Sequence, residues 1–453
     1  MRDVQPCTRS APPDPPGAVR DDRGVSPAPV SPVAPVALVS AADVDAAAAV
    51  LTGTVPVTPL EDSVRLSAQH GRRVLLKRED LQPVRSYKSR GGYHFLARLT
   101  PEERERGVVC ASAGNHAQGV AFACAALGVS ARVYLPRTTP RQKRDRVAGL
   151  GGDHVTVVVE GDSFDDAARA ARRHAEATHR VLVPPFDHPD TVAGQGTVVR
   201  EAVEQLGAVP DVVLVPVGGG GLLAGTVAWL GERHPGVRVI GVEPAGAASM
   251  TAALAAGHPV ELAEVDPFVD GAAVRRVGDV TFAQVHASGA TVVAVPEGQV
   301  CTEMLALYQS DGIIAEPAGA LATAALPALL PTLDLAPDAV VLCVLSGGNN
   351  DVSRYAEILE RSLVHTGLKH YFLVDFPQEP GALRAFLDDT LGPDDDITLF
   401  EYVKRNNRET GPALVGVELS DAADLDPLLT RMQSSPARIE HLPPDSPLTR
   451  WLT

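Results

Sequence analysis

The sequence predicts an α/β protein of two lobes built on parallel sheets, followed by a separate small α+β domain. Three observations carry this. From about residue 40 to 350, short continuous apolar runs rich in valine alternate with Ala-rich helical stretches, the pattern of strands covered by helices on both faces. These units are too many for one small sheet, so two lobes follow. After residue 367 the order changes to strand, helix, strand, strand, helix, strand.

In chain order, residues 1–38 are rich in Pro, Ala and Asp without apolar period and read as a disordered extension. Ser40 can cap a helix over "AADVDAAAAVL". The strand "GVVCAS" (107–112) leads into the helix "NHAQGVAFACAALG", "ARVYLP" (131–136) into "TPRQKRDRVAGLG", and "DHVTVVVEG" (153–161) into "SFDDAARAARRHAEA". Further strands are "DVVLVPVGGGG" (211–221), "VRVIGVEP" (237–244), "ATVVAVPEG" (290–298) and "AVVLCVLSGGN" (339–349). The last domain comprises "HYFLVDF" (370–376), "EPGALRAFLDDTLG" (379–392), "DITLFEYVKR" (396–405), "GPALVGVEL" (411–419), "DAADLDPLLTRMQ" (421–433) and "ARIEHL" (437–442), a split βαββαβ, ferredoxin-like order. The chain thus divides into an extension (1–38), a two-lobed unit (39–365) and a small domain (367–445).

Bulk properties exclude several classes. The 453 residues exceed the ~250–300 at which a single core stops growing. A formal charge of −16 argues against a phosphate-neutralising surface and hence against nucleic acid. The five cysteines are scattered without CxxC spacing, which argues against zinc and redox sites and fits a reducing, cytoplasmic setting. Cys110, Cys124 and Cys343 lie in apolar stretches as small buried hydrophobes. No apolar run reaches the ~18 residues of a membrane span, and the first residues have no signal-peptide core.

Chemistry concentrates where strands end. Gly218–Gly221 follow a strand and open a helix, so successive backbone N–H groups meet the positive end of a helix dipole, a place for a phosphate. The spacing is neither a Walker nor a GxGxxG pattern, and a tight turn is the plainer alternative. "CASAGNHAQG" (110–119) repeats the design, and its N–H groups could hold a carboxylate; Asn115 taken alone is more often a helix cap. "VLSGGNND" (344–351) offers the hydroxyl of Ser346 at a third strand end. Lys88, in "RSYKSRGG", could be a surface lysine, but it stands between Tyr87 and a glycine pair. A phosphate cradle, a carboxylate cradle, a hydroxyl and such a lysine together suit an amino acid and pyridoxal phosphate (PLP), an aldehyde that forms a Schiff base with lysine.

The ordered series "SYKSRGG", "SAGNHAQG", "VAGQGTV", "PVGGGGL", "VDGAAVRRVGD", "EPAGA" and "LSGGNN" resembles the biosynthetic threonine dehydratases (threonine ammonia-lyases), PLP enzymes of fold type II, across about residues 45–442. The resemblance implies that Lys88 holds the cofactor as a Schiff base and that Asn115 bonds the ring's 3′-oxygen. It further implies that Gly218–Gly221 and the Leu222 amide bind the phosphate, that Ser346 faces the pyridine nitrogen, and that Ser112, Ala113, Gly114, Asn115 and His116 receive the substrate carboxylate. The usual lysine motif of the family has alanine at Gly92 and often a longer residue at Ser89, which leaves the packing there open.

The implied reaction is deamination of L-threonine to 2-oxobutanoate and ammonia, the first step of isoleucine biosynthesis. A broader serine/threonine dehydratase, an amino-acid racemase and an inactive amino-acid-binding regulator are the alternatives. Ala113 stands where serine racemases carry a proton-donating serine, which favours a dehydratase, and the intact Lys88, Asn115, glycine loop and Ser346 argue against an inactive protein. Glu243, Ala247 and Ser249 stand at a candidate cation position by the resemblance, but the third position lacks a carboxylate and no metal is expected. The last domain resembles the family's ACT-like regulatory unit, present once rather than twice. It implies inhibition by isoleucine, with valine as a second candidate effector, and a homodimer or homotetramer.

Overall fold

The computed structural model describes residues 37–404, 408–444 and 446–452. Of the extension proposed over 1–38, all but the last two residues lie outside them. The strands are β1 (Leu60–Asp62), β2 (Arg73–Arg78), β3 (Val108–Ala111), β4 (Ala131–Leu135), β5 (Val155–Val159), β6 (Val181–Leu182), β7 (Val212–Pro216), β8 (Arg238–Pro244), β9 (Thr291–Val295), β10 (Val340–Leu345), β11 (Lys369–Pro377), β12 (Asp396–Tyr402), β13 (Thr410–Glu418) and β14 (Arg438–Leu442). They form three sheets.

The six-stranded sheet has the order β1-β2-β10-β7-β8-β9 and is parallel except for its edge pair β1–β2. Its central strands β2, β10, β7 and β8 are buried on both faces along most of their length. Val74, Leu76, Val212 and Leu214 pack into one core, whereas their neighbours Leu75, Val213 and Val215 pack into the other, as the two-residue period of a strand requires. The second lobe carries the four-stranded parallel sheet β5-β4-β3-β6. The last sheet, β12-β13-β11-β14, is antiparallel throughout, the ferredoxin-like order. At its base Glu360, on the helix Tyr355–His365, accepts hydrogen bonds from Lys369 Nζ (2.6 Å) and the Tyr371 hydroxyl, which ties β11 to the preceding lobe.

Strands β1, β2 and β6 are absent from the sequence reading. The first has three residues on a mostly exposed edge and the last has two, too short to show a period. β2 hides because its apolar centre is flanked by arginines and includes a lysine.

Strands β2, β10 and β7 are neighbours whose carboxyl ends share one edge. Lys88 follows the first, Ser346 the second and Gly218–Gly221 the third, so one sheet edge gathers three segments distant in sequence. The helix bearing Lys88 (Lys88–Ala97) is wedged between the helices Asn115–Leu127 and Pro189–Leu206. Glycines make this possible: a Cβ on Gly194 would lie 2.7 Å from Gly91 Cα, and one on Gly119 2.6 Å from the Lys88 carbonyl oxygen. At Gly92, where the family usually has alanine, a Cβ would come within 3.2 Å of the Gly119 carbonyl, so the crossing here is tight enough to favour the smaller residue.

The same helix is anchored from below by a buried charge cluster. Arg90 bonds both oxygens of Glu79 (2.8 and 2.7 Å) and both oxygens of Glu201 (3.0 and 2.9 Å), while Lys77 bonds Glu201, Gln205 and the Thr58 carbonyl. Lys77 and Glu79 are 0% exposed and Arg90 2%, while the Glu201 side chain keeps 14% exposure, so two cations and two anions balance with little water. Removing one member leaves an unpaired buried charge, which costs about 3–5 kcal/mol. Arg90→Met should therefore lower stability by about that amount, read as an earlier denaturant midpoint; an unchanged midpoint would show that the cluster does not anchor the helix.

Candidate active site

Lys88 is the first residue of its helix, and Tyr87 stands at the N-cap without a side-chain capping bond. The segment before it is constrained. Arg85 has φ 53°, unusual for a residue with a side chain, and its carbonyl accepts from Gly348 N at 2.9 Å, while Ser86 bridges to Gly347. The Tyr87 amide donates to the Ser346 carbonyl at 3.1 Å. The lysine segment and the Ser346 loop are thus stitched together by backbone bonds.

The amine of Lys88 donates to the Pro185 carbonyl at 2.8 Å and lies 5.3 Å from the Tyr87 ring centroid. Loss of water around it lowers its pKa to about 8, only partly countered by the nearby carboxyl of Glu316. The segment that receives the amine also walls the glycine turn: a Cβ on Gly219 would lie 2.3 Å from the Phe186 ring, one on Gly221 3.1 Å from Phe186 Cβ. Asp187 next to it caps the helix Asp279–Ser288, accepting from the amides of Asp279, Val280 and Thr281 at 3.0, 2.8 and 3.2 Å.

In the glycine turn Gly220 has φ 89°, a left-handed conformation suited to glycine, and is the N-cap of the helix Gly221–Arg233. No side chain caps this helix, and its first turn holds no acidic residue, so its N–H groups keep their positive field for an anion. Thr281 Oγ1 fixes the turn by donating to the Gly219 carbonyl at 2.7 Å, and Leu222 is buried beneath it.

The loop Ser112–His116 has a related form. Gly114, not Asn115, is the N-cap; its amide donates to Ser112 Oγ at 3.2 Å, and Asn115 is the first helical residue. Asn115 is therefore not a capping side chain. Its Nδ2 donates to Glu316 Oε1 at 2.6 Å and its Oδ1 accepts from Asn349 Nδ2 at 2.7 Å. His116 is buried with Nε2 3.1 Å from the Val183 carbonyl, and burial together with the charge of Lys88 pushes its pKa down to about 3, so the ring is neutral. Ala113 offers a methyl group. Ser346 is buried, its Oγ 3.3 Å from the Ala318 carbonyl, long enough for the proton to pass to a better acceptor.

Three neighbours of the candidate residues went unread in the sequence: Pro185, Glu316 and Asn349. Glu316 opens the motif "EPAGA" and Asn349 lies in "LSGGNN", so both were within recognised stretches, but their partners are remote in the chain. Burial, reinforced by Asp270, raises the Glu316 pKa to about 7. Glu243, a cation candidate by position, uses its carboxylate on the amides of Met250 (2.6 Å) and Thr251 (2.9 Å), capping the helix Ser249–Ala256. Ala247 and Ser249 are buried beside it, and Ser249 supplies only a hydroxyl.

The residues present suit an aldehyde-bearing pyridine with a phosphate: a reactive amine at one end, an uncapped glycine-turn helix at the other, and a hydroxyl and an amide between. A family model described as pyridoxal-phosphate dependent enzyme matches residues 51–347. The chain belongs to the pyridoxal-phosphate-dependent enzymes. As a member of that family it uses pyridoxal phosphate. A second model, the C-terminal regulatory domain of threonine dehydratase, matches residues 360–452.

Among relatives, this PLP enzyme is 60% identical over 420 residues to the biosynthetic L-threonine dehydratase of Mycobacterium tuberculosis, covering 92% of this chain and 97% of that one. Its fold matches the processed form of threonine deaminase isoform 2 from Solanum lycopersicum (TM-score 0.66, 36% identity, 73% of this chain and 98% of the other). It matches maize serine racemase equally in shape (TM-score 0.66) at 28% identity, over 73% of this chain and 99% of the other. Shape alone therefore does not separate the reactions.

If the amine is set by burial as described, the rate at which the apo-protein takes up PLP covalently should rise with pH about a midpoint near 8, since only the neutral amine attacks. A midpoint near the ordinary 10.5 would contradict the site's electrostatics.

Proposed function

We propose that this enzyme deaminates L-threonine to 2-oxobutanoate and ammonia, the first step toward isoleucine, and that isoleucine inhibits it through the last domain. The observation that carries this reading is a lysine amine, partly neutral near physiological pH, at the same sheet edge as an uncapped glycine-turn helix. High identity to a biosynthetic dehydratase over nearly the whole chain supports the substrate, and the matched regulatory domain supports the effector. Residues 39–365 are the proposed catalytic unit and 367–445 the proposed regulatory one.

Pyridoxal phosphate, when bound, supplies an aldehyde for covalent attachment and a ring that draws electrons from the adjacent carbon. Lys88 is the proposed attachment point. Gly218–Gly221 and the Leu222 amide are placed to hold the phosphate on the helix dipole, Ser346 to meet the ring nitrogen, and Asn115 the 3′-oxygen. The amides of the loop Ser112–His116, at the start of another uncapped helix, would orient the substrate carboxylate. With its pKa near 8, Lys88 is a base suited to taking the proton from the substrate Cα. Ala113 cannot give a proton from the opposite face, which supports elimination over racemisation.

Among the described residues no helix is long and apolar enough to cross a membrane. A cytoplasmic setting is proposed on Cys110, Cys124, Cys301 and Cys343, which are free and buried among the described residues. A homodimer or homotetramer is proposed from the resemblance; β12 and β14 are the edge strands of the last sheet.

A steady-state assay of the PLP-loaded enzyme with threonine and serine, each with and without isoleucine and valine, tests the reading. Oxo-acid formation fastest from threonine, and lowered by isoleucine, is expected. No oxo acid from threonine would overturn the reaction, and activity indifferent to isoleucine would overturn the regulation.

A further inference from the structure

The hydrogen bonds around Asn115 form a chain whose direction can be settled from one end. The Val84 backbone carbonyl can only accept, and Asn349 lies 2.8 Å from it through the atom that must therefore be its NH2 group, Nδ2. The same Nδ2 gives its second hydrogen to Asn115 at 2.7 Å, so the atom it meets there must be the carbonyl Oδ1. Asn115 then presents Nδ2 on its other side. One N–H of that group goes to Glu316 Oε1 at 2.6 Å. The second N–H has no protein partner among the described residues. Amide orientations are otherwise ambiguous, because the oxygen and nitrogen have nearly the same shape; a fixed backbone acceptor at the end of the chain removes the ambiguity.

Glu316 can play its part in either ionisation state. Its carboxyl is buried, is 5% exposed and forms no ion pair among the described residues, and it is faced by Asn115, by the Asn349 backbone and at longer range by Asp270, Lys143, Lys88 and Tyr87. A carboxylate oxygen accepts the Asn115 N–H most strongly, and the carbonyl oxygen of the acid still accepts it.

We infer that Asn349 and Glu316 are positioning residues that lock the Asn115 side chain as a hydrogen-bond donor, never an acceptor, toward the cofactor's 3′-oxygen. This rests on the proposed placement of the ring against Asn115 and adds to it a direction. A donor at that oxygen stabilises its ionised form. An acceptor there would hold the proton on the oxygen and move absorption from the visible to the near ultraviolet.

The experiment uses the full-length PLP-loaded protein at pH 8, reading absorption spectrum and thermal midpoint for four variants. Asn349→Asp faces Asn115 with acceptor atoms and turns its amide over. The expected result is that most of the visible band moves to the near ultraviolet and the thermal midpoint falls, because the turned Oδ1 meets the Glu316 carboxylate. In the double variant Asn349→Asp with Glu316→Gln, the new amide can donate to that Oδ1. The midpoint should recover while the band stays in the near ultraviolet. Glu316→Gln alone, with Asn349 intact, should keep the visible band because the Gln carbonyl still accepts. A band that recovers together with the midpoint, or one unmoved by Asn349→Asp, overturns the inference. Asn115→Ala separates the two layers: if it leaves the band in place, the ring does not lie against Asn115 and the placement itself fails; if it moves the band while Asn349→Asp does not, only the lock fails.

Discussion

The structure turns on the partial dehydration of one amine. Lys88 is held at the first turn of a helix, against a backbone carbonyl and an aromatic ring, where water is scarce enough to weaken its hold on a proton. An exposed lysine would be protonated and unreactive near neutral pH; a lysine sealed beside a carboxylate would form a salt bridge and be equally unreactive. Glu316 is close enough to be felt by the amine, but it bonds Asn115 instead of Lys88. The carboxyl is itself dehydrated and holds its proton more tightly than usual, so it quenches the amine less than an ordinary glutamate would.

Much of the surrounding architecture keeps that amine in place. The helix cannot slide along its axis, because glycines on three helices admit backbone contacts that any side chain would block. It cannot tilt without uncovering the charges of Arg90, Glu79, Glu201 and Lys77. On its cleft side, backbone bonds join it to the loop after β10. The segment that receives the amine at Pro185 packs its next residue, Phe186, against the glycine turn. A single short stretch thus contacts both the Lys88 amine and the glycine turn, the two groups proposed to hold the aldehyde and phosphate ends of the cofactor.

What could be read from the sequence was what composition and local order encode. The apolar runs gave the longer parallel strands of both lobes except β2, and their alternation with polar turns gave the βαββαβ order of the last domain, because each depends on residues close in the chain. Gly218–Gly221 and Lys88 stood out because such residues are costly or odd in those positions. Strand β2 was missed because the cluster that buries Lys77 makes a core strand look like a charged surface. Asn115 could be read as a cap or a ligand, and the fold removes the first reading by placing Gly114 at the N-cap and Asn115 as the first helical residue. Glu316 and Asn349 stayed silent for a related reason: they reach Asn115 across separations of 201 and 234 residues, and no local pattern announces such a meeting.

The central claim is that the cofactor is attached through the amine at position 88 and nowhere else. Borohydride reduction of the PLP-loaded protein, followed by proteolysis and mass mapping, tests it most directly, since reduction fixes the attachment irreversibly to whichever lysine carries it. The expected result is one phosphopyridoxyl adduct, on the peptide containing Lys88. An adduct on another lysine, or none from a protein that had been coloured before reduction, would contradict the account.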